Sequence, residues 1–343
     1  MRVEASAPGK IVLCGDYAVL QGAPAVVLAL QRRARVTLEP RTDGRTHLRA
    51  PEIGVPGLYG RWILGHLHWR FCSPPTFLRL RLVTTVLERQ ARLAQAAPTL
   101  DVDLDTAAFF ARHGAQKLGL GSSAALTVAL SAALARAAGG TPPTLADLVA
   151  LHRDFQSGRG SGIDIAASLR GGTLVYQWTG GKPQAQAMQW PAPIGLCIVW
   201  SGRSASTAGA LGHLARWMGT QGERAARVFN GLGETAVGVT KALELGRIAD
   251  MLDGLGVYAQ RLQSLGEACG IDIMSAEHRQ LARLARTFGV VYKSCGAGGG
   301  DVGVALSTDP ERLAGFKRAA LAQGFEVVNT GIDPHGLQVE AIT

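Results

Sequence analysis

The chain of 343 residues is 47% apolar and 18% charged, which excludes global disorder and leaves room for two packed domains with a cleft between them. Basic residues number 35 against 26 acidic, a formal net charge of +9. The arginines, with Arg32, Arg79, Arg89, Arg279 and Arg286 among them, are spread along the chain without a zinc-finger, RNP or basic-arm signature, so no nucleic-acid partner is expected.

Five scattered cysteines (Cys14, Cys72, Cys197, Cys269, Cys295) form no C-x-x-C pair, which speaks against zinc or a disulfide framework and for a reducing compartment. The opening MRVEASAPGK carries no apolar secretion stretch, so a cytoplasmic protein is expected. Strands are predicted at 3–7, 11–15, 25–30 and 34–38, and in the alternating 100–105, with a helix at about 80–94 between them. The uncharged stretch 118–135 has the minimum length of a membrane span, but glycine and serine lead it and alanine fills it. It is read as a buried helix, and no membrane partner is expected.

The middle of the chain turns helical at 122–138 and 144–156, with Thr144 as N-cap, followed by strands at 173–178 and 196–200. Further on come helices at 276–288 and 310–323, the latter opened by Asp309 and Pro310 and closed by Gly324. Strands at 302–306, 325–329 and 337–342 around that last helix suggest a separate antiparallel layer. The fold class is therefore α+β, with domains at 1–195 and 196–343 and no internal repeat.

Three glycine-rich segments carry the chemistry. Lys117-Leu118-Gly119-Leu120-Gly121-Ser122-Ser123-Ala124 runs into an apolar helix, so close backbone approach and a helix N-terminus combine into a phosphate cradle that is not a P-loop. Ser122 or Ser123 is placed to cap the helix, bind a phosphate oxygen or hold Mg²⁺. In 293–301, four glycines in five residues lead straight into a strand, which favours a ligand loop over a flexible linker. Ala7-Pro8-Gly9-Lys10 reads as a turn between two short strands that holds a lysine near a cleft.

Together and in this order, the three segments resemble the signature motifs of the GHMP kinases. Gly15-Asp16-Tyr17-Ala18-Val19-Leu20 is similar to the G-E-Y-A-V-L of the phosphomevalonate kinase branch, and Gly160-Ser161-Gly162-Ile163-Asp164-Ile165-Ala166, preceded by Gln156, to its Q-G-K-x-G-S-G-x-D-V-A. The Pro-Ser-Gly-Val-Asp run of mevalonate kinases is missing. The resemblance implies a two-domain fold, an N-terminal α/β domain of the kind seen in a small-subunit ribosomal protein and a ferredoxin-like C-terminal domain. It also implies ATP with Mg²⁺ as cofactors and a small phosphorylated acceptor as partner, in a monomer or homodimer.

On this resemblance Asp164 receives or steers the proton of the attacking hydroxyl, and Lys10, beside it, keeps that carboxylate ionised, lowers the hydroxyl's pKa and stabilises the transferring phosphoryl group. ATP falls to Lys117, Gly119, Leu120, Gly121, Ser122, Ser123 and Ala124. The acceptor falls to Tyr17, Ser161, Gly162, Arg203, Ser204, Ser206, Ser294, Gly296, Ala297, Gly298 and Asp301, with Arg159 and Arg170 as further cations. Mevalonate kinases place a metal-binding glutamate about eleven residues before the aspartate; here His152, Arg153 and Asp154 stand there, and Ser123 with Asp154 is the expected metal pair. Mevalonate and homoserine kinases are alternatives, as is a silent binding module. So is a decarboxylase of phosphorylated mevalonate, ranked lower because that family lacks the aspartate of S-G-x-D.

Overall fold

The computed structural model describes residues 1–112, 116–156, 158, 160–205 and 207–342. Arg159 and Ser206, both expected at the acceptor, lie outside them. In chain order the first half contains β1 (Arg2–Cys14), β2 (Ala25–Pro40), β3 (Thr46–Ala50), β4 (Val55–Ile63), β5 (His66–Trp69), α1 (Pro74–Ala94), β6 (Leu100–Asp105), α2 (Ser122–Ala137), α3 (Leu145–Phe155), α4 (Ile163–Arg170), β7 (Thr173–Thr179) and β8 (Lys182–Met188). The second half contains β9 (Gly195–Trp200), α5 (Thr207–Thr220), α6 (Gly222–Glu244), α7 (Ile248–Cys269), α8 (Ala276–Thr287), β10 (Val291–Ser294), β11 (Val302–Ser307), α9 (Pro310–Ala322), β12 (Glu326–Val328) and β13 (Gln338–Ile342).

Among the described residues the strands form two sheets. The larger runs β13-β1-β2-β6-β3-β4-β5, with β7 and β8 branching from β2; the smaller runs β10-β11-β9-β12. In the smaller sheet the alternation of apolar residues decides the layers. Cys197 and Val199 pack with Leu281 and Ala285 of α8 and Phe316 of α9, while Ile198 and Trp200 join the large core that continues into the first sheet.

Two expectations change, and four strands are added. The lysine turn is no turn: β1 is one strand of 13 residues, and Pro8-Gly9 marks a register shift against β2. A side chain at Gly9 would meet the Leu120 carbonyl and the Phe109 ring at 2.6 Å, so glycine lets the phosphate loop lie directly on the strand. The segment at 337–342 does not join the second layer. As β13 it pairs antiparallel with β1, Arg2 opposite Ile342. Finally, β3, β4, β5 and β8 carry weak sequence signals. The β4–β5 hairpin turns at Leu64-Gly65 with φ of 49° and 81°, and leucine occupies a place where asparagine or glycine would have announced the turn.

The return of the chain to β1 is fastened by Arg33. Its guanidinium meets Asp333 Oδ2 at 2.6 Å and donates to the carbonyls of Ser6, His335 and Gly336 at 2.9, 3.1 and 2.7 Å. Both partners are largely buried, so removing one leaves an uncompensated charge. Arg33→Ala is expected to cost about 2–4 kcal/mol of unfolding free energy in urea titrations, with nucleotide affinity unchanged.

Candidate active site

The phosphate loop owes its shape to glycine. Gly119 and Gly121 have φ of 79° and 80°, and a side chain at Gly119 would lie 2.1 Å from the Asp301 carboxyl carbon, one at Gly121 3.0 Å from Lys10 Cε. No side chain caps α2, whose N-cap is Gly121, so no capping group takes up the amides of its first turn. The helix behind them is sheathed in core, with Ala124 to Ala135 all buried. This is a fixed, apolar-backed dipole end that a phosphate chain fits.

Lys10 reaches across that loop. Its backbone N–H donates to the Leu120 carbonyl at 2.8 Å and its Nζ stands 3.3 Å from Asp164 Oδ1. Burial works to lower the lysine pKa, but Asp164, by charge and hydrogen bond, and then Asp16 and Asp301 outweigh it, so the ammonium is held charged above its ordinary range. Asp164 lies in the first turn of α4. Gly162 before it has φ of 86° and leaves room for the Tyr176 hydroxyl and Val149, which a side chain there would meet at 2.7 Å. Tyr176 and Trp178 both donate to the Ser161 carbonyl, at 2.6 and 2.7 Å, and so lock the entry to this helix.

The third loop is bolted to the first motif. Asp16 Oδ1 accepts from the Gly296 amide at 2.7 Å while Oδ2 meets Lys293 Nζ at 2.6 Å, both side chains almost wholly buried. Lys293 also donates to the carbonyls of Ser294 and Val12, at 2.7 and 3.3 Å, and the Tyr17 hydroxyl donates to the Ala297 carbonyl. Tyr17 and Asp301 both adopt left-handed backbone, φ 62° and 57°, an unfavourable geometry for residues with side chains. Asp301 accepts from the Ala205 amide at 2.9 Å; burial pushes its carboxyl pKa up against the opposing pull of that amide and of Lys10. A cavity of about 120 Å³ opens from Lys10 and Asp164, lined among others by Asp16, Tyr17, His152, Gln156, Ser161, Gly296 and Ala297.

The family described as GHMP kinases N terminal domain matches residues 83–172. A phosphomevalonate kinase from Streptomyces sp. (strain CL190) is 30% identical over 338 residues, which cover 88% of each chain. The chain belongs to the GHMP kinases. A mevalonate kinase from Thermococcus sibiricus is 28% identical, over 100% of this chain and 99% of the relative. The structure of Streptococcus pneumoniae phosphomevalonate kinase in complex with phosphomevalonate and AMPPNP superimposes with a TM-score of 0.75 at 19% identity, over 97% of this chain and 99% of that one. The α+β fold is thus that of the GHMP kinases, and the protein is a phosphotransferase. Among the described residues no helix is long and apolar enough to cross a membrane.

Within this GHMP kinase the expected residues divide. Lys10, Tyr17, Ser161, Gly162, Asp164, Gly296 and Ala297 line one cavity. Lys117 lies beside the loop, its ammonium 6.0 Å from the Phe110 ring centre and its pKa lowered by burial. Ser204 ties the loop to the second half by donating to the Lys117 carbonyl at 2.8 Å, and Gly298 packs against Ile273. Arg203 contributes its backbone carbonyl to the Asp301 amide, while its exposed guanidinium turns to Glu277 at 3.6 Å and not into the cavity. Asp154 is a correction. Its carboxylate is 71% exposed and faces Arg89 at 3.9 Å, because the helix turn that buries His152 directs residue 154 outward.

His152 takes the inward place, with Nε2 3.3 Å from Ser123 Oγ, and burial lowers its pKa. Sequence reasoning missed Lys293 and His278 as site supports and left Asp16 and His152 without roles; a lone charged or imidazole group in an apolar context is a weak signal, although buried charge without a partner is rare enough to have prompted a search for one. His278 is wedged under the third loop, with one ring nitrogen 2.8 Å from the Gly300 carbonyl and the other 2.8 Å from the Tyr292 hydroxyl, and burial lowers its pKa.

The sign for stability follows from this lowering. The unfolded chain takes up a proton near pH 6.5, the folded imidazole only at lower pH, so between the two values the unfolded state binds more protons and stability falls as pH falls. Thermal midpoints measured from about pH 7.5 down to about pH 5.5 are expected to drop, and to drop less steeply in His278→Gln, with the remaining slope owed partly to His152.

Proposed function

We propose that the protein transfers the terminal phosphoryl group of ATP to phosphomevalonate. The observation that carries this reading is a buried, charged Lys10 held by Asp164 at the junction of the phosphate loop and the cavity. A phosphomevalonate kinase is the relative at 30% identity, and the Gly-Ser-Gly-Ile-Asp run stands where mevalonate kinases carry Pro-Ser-Gly-Val-Asp. In this reading an acceptor oxygen attacks the terminal phosphorus in line while the bond to ADP breaks. Lys10 and the amides at the front of α2 stabilise the charge that spreads over the transferring group.

A phosphate on the acceptor is largely ionised at neutral pH, with a second pKa of about 6, so it needs no base, and the task of Asp164 is chiefly to keep Lys10 charged and in place. A hydroxyl acceptor would need Asp164 as base as well. Mg²⁺, when bound, supplies neutralisation of the nucleotide phosphates. The Ser123 hydroxyl at the front of α2 suits it, and no cluster of three acidic, histidine or cysteine groups able to hold a metal occurs among the described residues, so phosphate oxygens would complete its shell.

Coupled ADP release is expected with phosphomevalonate and Mg²⁺ above mevalonate, homoserine and galactose, without carbon dioxide. Silence with all four acceptors overturns the reading, and equimolar carbon dioxide would make the protein a decarboxylase. Lys10→Met is expected to lower kcat on the order of 100- to 1,000-fold. With phosphomevalonate, Asp164→Asn is expected to lower it less than that.

A further inference from the structure

The cavity at Lys10 and Asp164 does not end at Ser161. Beside it lies a second chamber of about 370 Å³ that shares Val19, Leu20, Gly160 and Ser161 with the first, and is flanked by Trp178 and by Leu214 and Met218 of α5. Apolar side chains share its walls with Gln21 and Ser161, and Arg153 is the one charged residue among the described residues that line it. The guanidinium lies 5.1 Å from the Trp178 ring centre, and one of its nitrogens donates to the Gly158 carbonyl at 3.3 Å. Among the described residues no carboxylate pairs with it, whereas Arg33 and Arg203 each have one.

A half-buried guanidinium set over an indole, with the Gly158 carbonyl as its one hydrogen-bond acceptor among the described residues, is preorganised for a planar or tetrahedral anion. We propose that Arg153 anchors an anionic group at the far end of the acceptor, so that the enzyme selects molecules carrying a carboxylate remote from the oxygen that takes up the phosphoryl group. The proposal rests on the acceptor reading above and adds its specificity determinant. It also explains why a cation stands at the position where mevalonate kinases place a metal-binding glutamate. The α3 backbone turns residue 153 away from Ser123 and towards Trp178, leaving the inward side to His152.

The anchor is tested with phosphomevalonate and its C1 carboxamide, a neutral isostere, on wild type, Arg153→Met and Arg153→Lys. Wild type is expected to show a KM for the amide higher by on the order of 10- to 100-fold, the range of a charge-assisted hydrogen-bond pair. Arg153→Met should raise the KM of the acid by a similar factor, with kcat within about 3-fold, while leaving the amide unchanged; the lysine variant should fall between. An equal loss on acid and amide would assign Arg153 a purely structural part through Trp178 and Ser161 and overturn the proposal, as would a variant with unaltered KM. Wild type that turns over neither phosphomevalonate nor mevalonate would remove the acceptor reading itself, and the anchor with it.

Discussion

A single ammonium group organises this enzyme. Lys10 Nζ is nearly excluded from water on a central strand, a position that would strip its charge were Asp164 not 3.3 Å away with Asp16 and Asp301 in support. The lysine stem passes over Gly121, where any side chain would displace it, so the conformation of the phosphate loop and the position of the charge are one constraint. A cation fixed by packing needs no reorganisation when charge moves during phosphoryl transfer, which is the condition for electrostatic stabilisation at low cost.

The second sheet contributes by holding the third loop against that charge. Asp16 and Lys293 form a buried pair in which the Gly296 amide serves Asp16 Oδ1 and the Val12 and Ser294 carbonyls serve the ammonium, while Oδ2 has the ammonium as its ion-pair partner. His278 supports the same loop from below through the Gly300 carbonyl. Two residues with left-handed backbone stand where these parts meet: Tyr17 and Asp301 are held by a hydroxyl bond to Ala297 and an amide bond from Ala205. Strained residues held on several sides are characteristic of sites built for positioning.

The net positive charge has a local counterpart. Most surface arginines face solvent or pair with carboxylates, as Arg41 does with Asp43 and Asp101. Among the described residues, the lysines and arginines that line these two cavities are Lys10 in the first and Arg153 in the second. In the proposed reading, polyanionic reactants would be met by these two placed charges, each worth more there than on the surface.

Local chemistry was legible in the residues themselves. The glycines and serines at the head of α2, the Thr144 and Asp309 caps and the three motifs identify the fold class and mark the glycine loop proposed to hold phosphate, because φ preference, capping and helix polarity act within a few residues. Even the Lys10–Asp164 pair was implied by resemblance. What tertiary structure alone decided were matters of sidedness: that β13 returns to β1, that Asp154 faces outward while His152 faces Ser123, that Arg203 turns to Glu277, and that Arg153 reaches Trp178. Each depends on which face of a helix or edge of a sheet meets a segment far away in the chain, and spacing along one segment carries no information about its distant neighbour.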